Sequence, residues 1–330
     1  KKVLGLNHYT ILNHDDYNNH KKKFDKFNIY PLSTFSNKKI FLCNESGENV
    51  YIKTDKNGFR NKNENYIDPK IFLIGDSFGL GICHSNKNFF VNKLPKKILN
   101  FSQGGTSTFI QSIVLREFAK FEKKSKLLWL FYLGNDLDEL NHEMNNPYLR
   151  KYIDWKFTQN LLNKNVVKDN LLYQIANPLF ENTKEIDIEK RFKLKKNDNF
   201  FKLIKLSFTR GMVTKKFFNL YSDKTINQYL EIVLGTKKNL NINDLTVVIL
   251  PDSRVFTYKK YRELYKIDQI KKKLNSNGIK TIDLPKFFDQ KYNFFDFFYS
   301  YSTHYKNEVN EIIANKINYC LNINQNLDCN

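Results

Sequence analysis

Cysteine is scarce in this chain. Its 330 residues hold four, Cys43, Cys83, Cys320 and Cys329. None forms a C-x-x-C pair, which argues against a cysteine-based zinc site. Four cysteines neither demand nor exclude disulfides, so they leave the compartment open. Long apolar runs are also missing. The longest candidate, Leu127 to Leu133, has strand length and falls short of the roughly 18 residues that span a bilayer. No transmembrane segment is therefore expected in this chain. The basic residues form no long tail or dense block, only short runs such as Lys21-Lys22-Lys23 and Lys271-Lys272-Lys273. No internal repeat is visible, which sets repeat architectures aside. Ala, Gly and Pro are sparse beside Lys, Asn, Ile, Phe and Tyr, a bias that an AT-rich genome produces by codon usage alone.

The chain has enough apolar residues to fold as a globular protein. It is 41% apolar, with 29 Phe and 19 Tyr, and a chain of this length can bury a sizeable core. The 54 Lys and Arg against 34 Asp and Glu leave a net charge of +20, which attracts anions in general. No nucleic-acid partner is expected, because basic residues and aromatics do not cluster together along the chain. The sequence starts without Met, which is compatible with a leader or anchor upstream. An extracytoplasmic or membrane-associated location is favoured over a cytoplasmic one.

Three regions differ in pattern. Residues 1–69 are polar, with short apolar pieces and a strong Asn57-Gly58 turn between two short extended segments. They read as a loosely strand-like N-terminal extension packed on the main domain. Residues 70–330 form that domain. Strand candidates are 70–75, 97–102, 127–134, 246–251 and 280–284, several of them near-continuous apolar runs of the kind that parallel strands show. Helical stripes lie at 108–121, 258–274 and 307–321. The alternation implies an α/β fold, a parallel sheet with helices on both faces. It stops between about 140 and 240, which reads as a mostly helical, basic insertion. The Asn-rich end, 322–330, is expected to fray.

Four pieces fall at the ends of these elements. Lys70 to Gly79 reads as a buried strand that stops at Gly75-Asp76-Ser77. Asn100 to Gly105 closes the second strand, Gly134-Asn135-Asp136 closes the third, and His304 precedes the last helix. C-terminal strand ends of a parallel sheet share one edge, where ligands bind. A serine hydroxyl needs a base, and histidine, with a pKa near neutrality, is the usual one. Backbone N–H groups and an Asn amide suit the oxyanion of a tetrahedral intermediate. Asp76 and Asp136 read as caps of turns or helix starts rather than a metal pair. No metal and no cofactor is expected. The aromatics at 287–301 read as core, and the other histidines, His8, His14, His20, His84 and His142, have no comparable context.

The four blocks in this order resemble the SGNH (GDSL-type) hydrolases. The resemblance covers about 70–140 and 245–320 and implies a three-layer α/β/α flavodoxin-like fold. It makes Ser77 the nucleophile, His304 the general base, and Ser77, Gly105 and Asn135 the oxyanion hole. The segment Asn57-Gly58-Phe59-Arg60 also looks like bacterial members associated with surface-polysaccharide synthesis. By this resemblance the protein is a serine esterase acting on an acyl ester, foremost an O-acetyl group, of a carbohydrate. Two departures stand out. Tyr301 occupies the position three before the histidine, where many members carry an acid, so Asp296, Asp289 or a backbone carbonyl would have to orient His304. Val309 replaces the usual Gly after the histidine block. A carbohydrate O-acyltransferase using the same residues and a non-catalytic glycan-binding protein on the same fold are the alternatives. The ligand is a small-molecule or glycan ester in each case.

Overall fold

The structure, a computed structural model, describes residues 14–43, 49–94, 97–181, 221–257, 260–288, 292, 294–298, 304–322 and 328–329. It begins with helix α1 (His14–Phe27) and an antiparallel pair, β1 (Lys39–Cys43) and β2 (Val50–Lys53). The main sheet holds β3 (Ile71–Ile74), β4 (Ile98–Asn100), β5 (Lys126–Tyr132), β6 (Asp244–Leu250), β7 (Lys280–Asp283) and β8 (Asp328–Cys329). Their spatial order is β4-β3-β5-β6-β7-β8, and every pairing is parallel. The crossovers leave β3 in opposite directions, toward β4 and then back to β5. Between β3 and β5 lies the switch point at which such sheets bind ligands.

Alternation along the strands explains why both faces are covered. In β5, Leu127, Trp129 and Phe131 belong to one apolar cluster, and Leu128, Leu130 and Tyr132 to another on the opposite face. The first face is covered by α3 (Thr108–Phe118), α6 (Asp223–Asn239) and α7 (Ile267–Ser276), the second by α8 (Asn307–Asn322) and the segment around Phe89–Leu94. The expected α/β class and parallel sheet are present. Helix α3 departs from a simple amphipathic stripe. Ten of its residues are buried, because the N-terminal extension lies over its outer side and adds Phe24, Ile29, Leu32 and Phe59 to the same core.

Several boundaries differ from the sequence expectation. The described part of the extension includes a helix as well as strands, and the Asn57-Gly58 turn follows β2 but leads into a 3-10 turn at Asn63–Tyr66, not a second extended segment. Within 140–240, α6 is the crossover helix into β6: Ile226, Tyr229, Leu230 and Val233 face the core. The rest of that stretch contains α5 (Asn165–Glu181) and two 3-10 turns, and residues 182–220 lie outside the described ones. Its loop is anchored on α3. Glu117 accepts from the N–H groups of Gln159 (2.6 Å) and Leu161 (2.9 Å).

The helix expected over 258–274 is broken. Lys266 adopts a left-handed conformation (φ 49°) and separates a short helix, Tyr261–Leu264, from α7; residues 258 and 259 lie outside the described ones. The expected fraying at the C-terminus is overturned for Asp328 and Cys329. They form β8 beside β7, and Cys329 is disulfide-bonded to Cys320 in α8.

Candidate functional site

The strand β3 ends at Gly75, and Asp76 then caps the single turn α2 (Ser77–Leu80), its Oδ1 accepting from Phe78 N–H at 2.9 Å. This places Ser77 at the start of a helical turn, directly above the switch point. Gly79 is needed there for close approach: a Cβ on it would lie 2.2 Å from Ser102 Oγ. The end of β4 is fastened to the same turn by Asn100, whose Nδ2 donates to Gly79 O at 2.8 Å and whose Oδ1 accepts from Ser102 N–H at 2.9 Å. The Asn of the second block is therefore a brace between two strand ends.

His304 arrives from the far end of the chain. Its Nε2 lies 3.1 Å from Ser77 Oγ, and both residues are half-buried. The segment carrying it is held from two other directions. Tyr305 OH donates to Pro251 O (2.7 Å), at the end of β6, and Lys306 N–H donates to Phe297 O (2.9 Å). Beneath the pair lies a buried aromatic bed in which Phe78 touches Tyr132, Tyr305 and the His304 ring at centroid distances of 4.1, 4.4 and 5.3 Å. The aromatics Phe288, Phe297 and Phe298 are buried core residues.

Gly105 and Asn135 occupy the ends of the neighbouring strands. Gly105 has φ 71°, which favours glycine, is exposed, and has nothing within 4 Å of where a Cβ would stand. A carbonyl oxygen can approach its backbone freely. Asn135, between β5 and α4 (Asp136–Asn145), makes no side-chain cap to its helix, and its buried Oδ1 has no hydrogen-bond partner. Its amide is thus uncommitted within the protein.

Electrostatically the site rests on two buried carboxyls. Burial raises Asp76 to about 6, while its attraction to His304 works the other way. Burial and the charge of Asp76 push Asp136 well above the usual carboxylate range. Asp136 Oδ2 accepts from Tyr132 N–H at 2.8 Å, closing the turn between β5 and α4. Asp76 Oδ2 and Asp136 Oδ1 are buried without a hydrogen-bond partner. Asp76 thus interacts electrostatically with His304 from beneath the nucleophile's turn. Of the candidate orienting acids, Asp296 is exposed on the short helix Phe294–Phe297, and Asp289 lies outside the described residues, as does Tyr301, which takes the place of the usual acid. Among the described residues, no group of three His, Cys, Asp or Glu converges to hold a metal.

No family model matches this chain, and a comparison with curated proteins finds no match.

Sequence reasoning missed the supports. Asp55 builds the Asn57-Gly58-Phe59-Arg60 turn: its Oδ1 accepts from Asn57 and Phe59 N–H (2.8 and 2.9 Å), and its Oδ2 from Asn61 Nδ2 and Tyr66 OH (2.8 and 3.0 Å). That turn projects the buried Arg60 onto the end of α2. Arg60 donates to the carbonyls of Leu80 (3.0 Å), Gly81 (2.8 Å) and His84 (2.8 Å) and to Asn86 Oδ1 (3.0 Å). The only sequence signal was the Asn57–Arg60 segment itself, which does not say what the guanidinium reaches.

Proposed function

We propose that this protein is a serine esterase of SGNH type that removes an acyl group, foremost acetyl, from a carbohydrate hydroxyl. The observation that carries the reading is the 3.1 Å approach of His304 Nε2 to Ser77 Oγ at the switch point of a parallel sheet. The strand order matches the 2-1-3-4-5 arrangement of flavodoxin-like sheets, and its strand ends carry the Gly-Asp-Ser, Asn…Gly and Gly-Asn-Asp blocks. Ser77 Oγ attacks the acyl carbonyl carbon while its proton passes to His304 Nε2. The negative charge on the former carbonyl oxygen is met by the N–H groups of Ser77 and Gly105 and by Asn135 Nδ2. The intermediate collapses, the ester C–O bond breaks, and the sugar oxygen leaves with the proton from His304. Water, deprotonated by His304, then attacks the acyl-enzyme and releases the free acid. An acceptor hydroxyl in place of water would make the reaction a transfer.

An extracytoplasmic location belongs to the same proposal. The disulfide Cys320–Cys329 and the disulfide-bonded Cys83 suit an oxidising compartment. Among the described residues, no helix is long and apolar enough to cross a membrane.

The test is labelling with a fluorophosphonate probe, followed by acetate release from acetylated oligosaccharides. Labelling of the parent protein that disappears in Ser77→Ala and His304→Ala is the expected result. A folded parent that does not label would leave no activated serine, and the esterase reading would fall. Acetate release that requires an added glycan acceptor would reassign the protein as a transferase.

A further inference from the structure

We infer that His84 is a positioning residue for the base, tying the helix that follows His304 to the turn that follows Ser77. The inference rests on the esterase reading. His84 is buried at 4% exposure, seven residues beyond the serine. Its Nδ1 lies 3.0 Å from Asn307 Oδ1, and Asn310 Nδ2 lies 3.1 Å from its Nε2 and 3.2 Å from its Nδ1. Asn307 and Asn310 form the first turn of α8, immediately after His304. A neutral imidazole has one N–H and one lone pair. Here Asn307 Oδ1 takes the N–H at Nδ1, while the amide of Asn310, nearly equidistant from the two ring nitrogens, packs over the imidazole face.

The backbone of His84 is held as firmly as its ring. Its N–H donates to Gly81 O at 3.1 Å, and its carbonyl accepts from Arg60 Nη2 at 2.8 Å. A hydrogen-bonded path therefore runs from the Asn57–Arg60 segment, through the turn that ends α2, to the helix behind the base. Phe78 adds apolar contact between the same two elements, but ring contacts tolerate sliding, whereas the hydrogen bond to Asn307 fixes direction. The Tyr305 and Lys306 anchors attach the base segment to β6 and to Phe297, not to the nucleophile's turn. Loosening the His84 contact lets His304 drift relative to Ser77, and a displacement near 1 Å costs on the order of 100-fold in rate.

The experiment uses the full chain, with second-order labelling by a fluorophosphonate and steady-state hydrolysis of p-nitrophenyl acetate. His84→Leu removes both ring contacts, His84→Gln restores one donor and one acceptor, and Asn307→Ala removes one partner at a half-exposed position. His84→Leu is expected to slow labelling and kcat by roughly 10- to 100-fold with KM within about twofold. Asn307→Ala should lose several-fold, and His84→Gln should regain most of the rate. Parent-like rates in both His84→Leu and Asn307→Ala would overturn the inference, as would an equally slow His84→Gln. A parent protein that labels no faster than Ser77→Ala overturns the esterase reading and this inference with it. A labelled parent beside equally labelled His84 and Asn307 variants overturns this inference alone.

Discussion

The guanidinium of Arg60 lies over the ring of Phe89, 4.2 Å from its centroid, while its N–H groups hold the carbonyls that close the nucleophile's turn. Burial lowers its pKa to about 9, which leaves it charged at neutral pH. A lysine ammonium cannot span these acceptors or stack in the same way. Arg60→Lys and Arg60→Leu should both lose about 2–4 kcal/mol of stability, read from urea midpoints, because buried carbonyls are left unpaired. A parent-like Arg60→Lys midpoint would show that only the charge is required.

Asn135 should act in the transition state rather than in substrate binding. Its side chain makes no cap to its helix and its Oδ1 has no hydrogen-bond partner, so removing it breaks no hydrogen bond of that oxygen. Asn135→Ala is expected to lower kcat for p-nitrophenyl acetate by about 10²–10³ with KM little changed. A change confined to KM would move Asn135 from the oxyanion site to substrate contact.

The buried carboxyls make stability fall as pH rises. Each is raised in the folded state, so the folded protein holds protons that the unfolded chain, with carboxyl pKa values of about 4, has already released. That difference destabilises the protein from about pH 4 upward through the folded values, which is about 6 for Asp76 and higher for Asp136. Asp136→Asn keeps a neutral side chain that still accepts from Tyr132 N–H. The variant should melt above the parent at pH 8.5, with the gap narrowing toward pH 5. A variant that melts below the parent at pH 8.5, with the gap closing toward pH 5, would show that the fold needs the Asp136 charge.

The Cys320–Cys329 bond joins positions nine apart and holds β8 on the sheet. Closing a loop of this size stabilises by about 2–3 kcal/mol in the chain-entropy view. Cys320→Ser should therefore lower the melting temperature by several degrees while leaving fluorophosphonate labelling unchanged, since β8 lies three strands from β5. Loss of labelling in a folded Cys320→Ser protein would reveal that the C-terminal end of α8, not only its first turn, is coupled to the site.

What was legible in the sequence follows from range. The five expected strands appeared within a few residues of their positions because buried parallel strands are near-continuous apolar runs. Ser77, Gly105 and Asn135 could be placed because strand ends share an edge. His304 could be placed only as the loop before a last helix. Contacts that depend on distant partners left no local trace. His84 reads as an isolated histidine until Asn307 and Asn310 arrive, more than 220 residues later. The two-residue β8 is too short for any period, and its pairing depends on β7 and on a cysteine in α8. The break at Lys266 sits inside an apolar stripe that continues on either side, so periodicity alone joins what the backbone separates.

The N-terminal extension shares its core with α3 and the later loops, and this sets a timetable for synthesis. Tyr30 N–H donates to Gln159 Oε1, 129 residues farther along, and Phe24, Ile29 and Leu32 belong to the same apolar cluster as Phe118, Leu149 and Tyr152. At roughly 5–20 residues per second, the first of these segments waits roughly 6–26 s for the partner that Tyr30 needs. During that interval its apolar side chains are available to any holding factor at the exit of the ribosome, and the extension cannot complete its core by folding in order from its beginning.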